Sequence, residues 1–462
     1  MRSASRQGTM VAVDPHVGWP PRRVARRDLT VLLVVLGLLM AVALAGGVLY
    51  ARVAAPAAEV TLTDRPGDLG ATTAATEASL GQFWGVAMPA TYHQRFAALR
   101  GGFRPTTPGS PPFSCGGHRE TYRDVRGNAF YCPADDYIAW DAAQLFPGLD
   151  HTFGNVAPAI VLAHEMGHAV QTRAGVDAAS LVVELQADCF AGSWARFAQA
   201  DTTDPVAVTD RALDSAVRAI LVLRDRPGTP GVVPQAHGLG FDRVNAFQTG
   251  YSSGVPACAA FPTEGVLTTE LPFRTPTEAA TRGNEPYEVA VPLFAESLDR
   301  FWTAGVPAVA PGGRFVRPVR RPVAAPPLPP CATAGAYDPM SAAGYCPADN
   351  TVTWADDLLR RVHTEGDLVT GAVLSDVWGR AAQAQAGLTL RGAPASLQRA
   401  CSTGAWVSSI ASGDIPVFTL SPGDVDEVLA AVLATAGPDT GGAFERAEAL
   451  RVGILHGLAA CA

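Results

Sequence analysis

The longest apolar run in the chain goes from Leu29 to Ala51, with no charged residue in 23 positions. That length suffices to cross the hydrocarbon core of a bilayer as a helix. Further on, apolar residues recur at three- and four-residue spacing. Ala159, Ile160, Leu162, Ala163, Met166, Ala169 and Val170 outline one helix with a wide apolar surface. Asn155 can cap it, Pro158 suits its first turn and Gly175 can end it. The stretch SLVVELQADCFAGSWARFAQA, residues 180–200, has the pattern of a second helix. The expected fold class is mainly α (α+β).

The outer part of the chain repeats itself. Tyr-Cys-Pro-Ala-Asp occurs at 131–135 and again at 345–349. LQADCFAGSW at 185–194 is echoed by LQRACSTGAW at 397–406, and FDRVNAFQTGYSSGVPAC at 241–258 by FERAEALRVGILHGLAAC at 444–461. Leu80, Phe83 and Trp84 match Leu298, Phe301 and Trp302. The offset drifts from 218 to 203, so the features keep one order with small insertions and deletions. The expected organisation is a polar, Arg-rich, disordered terminus (1–28), an apolar anchor (29–51), a tether (52–69), a first domain (70–262), a linker (263–282) and a second domain (283–462). The stretch 305–330 holds eight prolines and must be extended or looped, with a shorter Pro-rich run at 105–112 in the same place of the first unit.

Composition narrows the partners. The formal charge is −8, from 35 basic and 43 acidic residues, which argues against a nucleic-acid binder. Arg22, Arg23, Arg26 and Arg27 precede the apolar run and only Arg52 follows closely. Basic flanks stay in the cytoplasm, so the expectation is a single-pass cell-membrane protein, held in the lipid bilayer by 29–51, with its N-terminus inside and the rest outside. All eight cysteines follow that run, and an even number in an exported segment reads as disulfides. Each cysteine of the first unit has a counterpart in the second: 115/331, 132/346, 189/401 and 258/461. Bonds closed within units leave three connectivities per unit. The preferred set is Cys115–Cys132, Cys189–Cys258, Cys331–Cys346 and Cys401–Cys461.

The chemistry lies in the first unit. Residues 164–168 read His-Glu-Met-Gly-His. On a helix His164 and His168 sit one turn apart on one face, where two imidazoles can grip one Zn²⁺. Glu165, beside the first of them, can reach a water on the metal. Catalytic zinc takes three protein ligands and keeps a position open. Glu184 and Asp188 lie four apart in an otherwise apolar helix, where unpaired carboxylates are costly. Zinc relieves Glu184, and a hydrogen bond to a ligand imidazole relieves Asp188.

The runs HEMGHAVQTRAGV, ELQADCFAGSWA and HGLGFDRVNAFQTGYSSG, with YCPADDYIAWD upstream, resemble the bacterial neutral zinc metallopeptidases. The resemblance covers about 77–261. It implies a zincin-like domain with His164, His168 and Glu184 as zinc ligands, Glu165 as the base and Asp188 behind a ligand. His237 and Gly238 fit that family's downstream His-Gly, where the histidine either steadies an oxyanion or caps a turn. The implied activity is zinc-dependent hydrolysis of peptide or protein substrates.

The second unit lacks this set. At an offset of 212, His164 becomes Asp376, Glu165 Val377, His168 Arg380, Glu184 Ser396 and Asp188 Ala400, while Gly167/Gly379, Gln171/Gln383 and Gly175/Gly387 remain. Arginine in place of a ligand is incompatible with zinc, so one zinc per chain is expected, all of it in 70–262. The second unit then reads as a pseudo-enzyme domain that acts as a scaffold, a substrate-positioning surface or an intramolecular partner, or that only stabilises its neighbour by packing. The competing reading of the whole is a non-catalytic cell-envelope scaffold with a relic metal site.

Overall fold

A computed structural model describes residues 60–201, 203–231, 236–310 and 312–462. Its first half contains helices α1 (Leu69–Tyr92), α2 (Leu145–Phe153), α3 (Val156–Ala174), α4 (Ser180–Ala200), α5 (Asp210–Val222) and α6 (Gly240–Ala259). Its second half contains α7 (Tyr287–Val309), α8 (Asp367–Gln385), α9 (Ala393–Ala411), α10 (Asp424–Ala434) and α11 (Ala443–His456). Its short strands include β1 (Val60–Leu62), β2 (Gly102–Thr106), β3 (Ala129–Cys132), β4 (Tyr137–Asp141), β5 (Val206–Val208), β6 (Val319–Val323), β7 (Ala343–Cys346) and β8 (Thr351–Ala355). The chain is therefore mainly helical with some sheet.

Both halves place a three-stranded sheet in the same order. β4 lies between parallel β2 and antiparallel β3, and β8 lies between parallel β6 and antiparallel β7. Pro105 and Pro322 sit in the edge strands β2 and β6, where a residue without an N–H is tolerated. The Pro-rich stretch of the second half thus contains a strand as well as the end of α7.

The helix pairs behind the sheets are held at backbone contact. A Cβ on Gly250 of α6 would fall 1.7 Å from the Cys189 carbonyl oxygen of α4, and one on Gly192 would fall 1.9 Å from that of Phe247. The second half repeats this with Gly453 against Cys401, at 1.9 Å, and Gly404 against Leu450, at 2.1 Å. Disulfide Cys189–Cys258 clasps the first of these pairs, Cys401–Cys461 ties α9 to the turn that follows α11, and Cys115–Cys132 and Cys331–Cys346 close the sheet regions. Backbone cannot yield as a flexible side chain can. Gly250→Ala is expected to cost about 3 kcal/mol or more, by overpacking. Gly85→Ala, on the exposed face of α1 with open space around it, should be neutral or slightly stabilising. Denaturant titration of the two variants checks the contrast.

One hydrophobic core runs through both halves, from Leu80, Trp84, Trp194 and Phe247 to Leu298, Trp378, Trp406 and Leu450, and the described residues form one compact unit. The halves also cap each other's helices. Asp426 of α10 accepts from the Gly240 and Phe241 amides at the start of α6, at 2.9 and 2.7 Å. Reciprocally, Asp214 of α5 accepts from the Phe444 amide at the start of α11, at 2.8 Å. Arg451 donates to Asn245 and Thr249 across the same boundary.

Four expectations change. Asn155 does not cap α3: its side chain accepts from the Thr63 amide and donates to the Thr61 carbonyl, fastening the entering chain. Residues 60–68 are not free tether, since β1 pairs in parallel with β5 and Leu62 is buried. The stretch 263–282 is docked as well, through Thr269 on Asp242 and Glu278 on Ser421. The membrane placement is not sustained: among the described residues no helix is long and apolar enough to cross a membrane, and the run 29–51 lies outside them.

Candidate metal centre

α3 carries His164, Glu165 and His168 past α4, which carries Glu184 and Asp188. The approach is close at Gly167, where a Cβ would meet Ala187 at 3.0 Å. The two imidazole Nε2 atoms face each other at 3.2 Å. Glu184 Oε2 lies 3.3 Å from His164 Nε2, and Oε1 lies 3.5 Å from His168 Nε2. Four ligands at ~2.0–2.1 Å in a tetrahedron stand roughly 3.3–3.4 Å apart, so this triangle matches three corners of a zinc site. Glu184 Oε2 is buried without a hydrogen-bond partner, as an atom reserved for a metal would be. These three residues can hold a metal ion.

The far sides of both rings are occupied. His164 Nδ1 meets Asp188 Oδ1 at 2.8 Å, and His168 Nδ1 meets Gln171 Oε1 at 2.8 Å. Protons placed on Nδ1 leave both Nε2 lone pairs directed at the triangle. Asp188 is clamped in turn by Arg243 of α6, through Nε at 2.7 Å and Nη2 at 2.9 Å, and Arg243 also donates to the Leu223 carbonyl. Gln171 is held by the Val183 carbonyl and Gln186, which donates to the Cys258 carbonyl.

Electrostatics fit such a cluster. Burial opposes a charged His164, but the Asp188 and Glu184 carboxylates outweigh it and raise its pKa to about 10 in the metal-free chain. Glu184 is opposed by burial too, yet the two histidines hold its carboxyl far below the usual range. Asp188 stays low because Arg243 and His164 outweigh burial. A cation held by His164, His168 and Glu184 would take the place of the protons on the facing nitrogens.

Glu165 stands outside the triangle. It lines a cavity of ≈ 150 Å³ together with His164, Asp188, Arg243 and His237. The rest of the wall is largely apolar, from Leu145, Leu149, Ile160, Val161, Ile220 and Leu223. His237 projects into that cavity with its side chain about half exposed, and its Nδ1 lies 3.6 Å from Asp225. Asp225 also accepts from the His237 and Gly238 amides, fixing the turn. The geometry therefore brings Glu165, His164, His168, Glu184 and Asp188 together and sets His237 at the cavity's rim. Arg243 and Gln171 were not singled out by sequence. The sequence signal available for Arg243 is an arginine at the matching position of the second unit, Arg446.

In the second half the same positions hold an ion-pair cluster. Asp376 accepts from Arg380 at 2.9 Å and from Arg399 at 2.6 Å. A different group of donors, Asp367, Asp424 and Glu427, also lies close enough to bind a cation. Burial, together with mutual repulsion, raises Asp367 to about 6, Glu427 to about 8 and Asp424 well above the usual range. A carboxyl raised in the folded chain holds a proton that the unfolded chain releases. Stability should therefore fall as pH rises from about 5 to 8. Glu427→Gln is expected to flatten that fall in denaturation series at several pH values, and parallel curves for mutant and wild type would contradict it.

Residues 114–261 match a family model described as "Putative neutral zinc metallopeptidase". The uncharacterized protein YpfJ of Escherichia coli (strain K12) is 36% identical over 157 residues, which cover 29% of this chain and 53% of that protein. The uncharacterized protein Rv2575 of Mycobacterium tuberculosis (strain ATCC 25618 / H37Rv) is 30% identical over 154 residues, 28% of this chain and 52% of that protein. The chain thus spans about half the length of these relatives. No solved structure matches it. The matched segment is the one that carries the metal-capable triangle, Glu165 and Arg243.

Proposed function

We propose that this chain is a zinc-dependent endopeptidase, hydrolysing peptide bonds with water and without a covalent intermediate. The observation that carries this reading is the His164–His168–Glu184 triangle with tetrahedral edge lengths beside the cavity that Glu165 lines. A zinc ion there supplies a Lewis acid that polarises the scissile carbonyl and lowers the pKa of water toward ~7. Glu165 takes the proton from the attacking water and returns it to the leaving amine. Asp188, held by Arg243, keeps the His164 ring in register, and Gln171 does so for His168. For His237, at the rim of that cavity, the proposed role is to donate to the substrate's oxygen.

The test is metal content and hydrolysis of unstructured casein by the purified chain. About one zinc per molecule is expected, with activity lost on chelation and restored by zinc. A zinc-loaded chain that cleaves nothing would favour the scaffold reading.

The apolar wall beside Glu165 also supports a substrate preference: an apolar side chain adjoining the cleaved bond. Val161→Phe narrows that wall. It should lower kcat/KM for peptides with Leu there about tenfold relative to peptides with Ala. An unchanged ratio in a peptide-pair assay would place the side-chain pocket elsewhere.

A further inference from the structure

The second half keeps a cavity where the first half has its metal triangle. Its volume is ≈ 400 Å³, within the ordinary range for ligand sites. Asp376, Arg380, Ser396 and Ala400 line it at the positions of His164, His168, Glu184 and Asp188, and Arg446 lines it at the position of Arg243.

The balance of charge has reversed. Asp376 is shared between Arg380 and Arg399, so one carboxylate meets two guanidiniums. Arg446 has lost its carboxylate, because Ala400 stands where Asp188 clamps Arg243. Its donors go instead to Ser396 and Thr435 hydroxyls at 2.6 Å and to the Val432 and Thr440 carbonyls. Neutral acceptors satisfy its hydrogen bonds without cancelling its charge. Arg446 is only 5% exposed, and the carboxylate that attracts it, Asp376, is already paired with Arg380 and Arg399, so its buried charge is only partly compensated. Two arginines, Arg380 and Arg446, thus line the cavity beside one aspartate, whose carboxylate is also held by the buried Arg399, in a chain whose net charge is −8. The walls between them are apolar, from Ala372, Val377 and Val432, with the Thr403 hydroxyl among them.

We propose that this cavity binds a peptide carboxylate, either an acidic side chain or the chain's C-terminal group. A guanidinium fork matches a carboxylate in charge and shape, and Arg380, about one-third exposed, keeps its two terminal nitrogens available. The apolar walls receive the stem that carries the acid. The assignment does not depend on whether the first half cleaves peptides.

Binding of labelled peptides to the full chain tests it, read by fluorescence anisotropy in Glu165→Gln so that no substrate is consumed. The peptides differ only in Glu against Gln and in a free against an amidated C-terminus. At least one of the two carboxylates should tighten binding tenfold or more, and the arm that does so identifies the source. Added salt should weaken that preference. Arg380→Gln should abolish it with the melting temperature and zinc content unchanged, and Arg380→Lys should keep part of it. Equal binding of all four peptides would overturn the proposal. So would a preference that survives Arg380→Gln, or one that disappears in His164→Ala, which would move the carboxylate to the first half.

Discussion

Glu165→Gln is expected to reduce peptide hydrolysis by about 10²–10⁴-fold, the usual contribution of a positioned general base, while leaving zinc bound. The amide keeps the side chain's shape and removes only its ability to take a proton. Glu165 is not one of the three groups that converge on the metal position, so zinc affinity has no reason to change. Glu184→Ala gives the opposite signature. It deletes one corner of the triangle and should weaken zinc binding itself, with loss of activity following loss of metal. Zinc content and casein hydrolysis measured on both variants separate the two roles. Full activity in Glu165→Gln would sink its assignment as the base, and unchanged zinc affinity in Glu184→Ala would move the third ligand elsewhere.

The parts legible in the sequence were those encoded by local spacing. The i, i+4 histidines on an apolar helix put two imidazoles at one point, and a carboxylate pair on the next apolar helix had to find a partner. Cysteine positions shared by the two units suggest bonds within each half but leave three connectivities per unit, and the structure has the preferred one. Groups recruited from far along the chain were not legible. Arg243 reaches Asp188 across 55 residues, and Asp426 reaches the start of α6 across 186. Nothing in their own neighbourhoods announces those destinations. Asn155 shows the reverse error. Its position before a helix reads as a cap, yet a distant strand captured its side chain. The stretches outside the two repeat units read as tether and linker, but Leu62 and Thr269 supply contacts that the bounds of a repeat cannot show.

The first half alone, residues 60–262, is expected to lose cooperative folding and tight zinc binding, even though it contains every proposed ligand. The reason is a chain of contacts that begins in the second half. Asp426 accepts from the two leading amides of α6 and pairs with Arg224 at 3.0 Å. α6 carries Arg243, Arg243 fixes Asp188, and Asp188 fixes the His164 ring. Cutting the chain at 262 frees the start of α6 and exposes the shared core around Phe247, which packs near Phe444. The cut also removes Arg451 from Asn245. Asp426→Ala in the full chain is the graded version. Loss of the cap alone should cost about 0.5–2 kcal/mol, and Arg224 is left without its partner. Outer partners of a metal ligand are worth about 10–100-fold in metal affinity, and loosening Arg243 should draw on that range. Thermal unfolding and zinc titration of the fragment, the variant and the full chain give the ordering: full chain strongest, Asp426→Ala intermediate, fragment weakest. A fragment that melts sharply and binds zinc as the full chain does would show that the two halves are independent and that the second contributes nothing to the metal centre of the first.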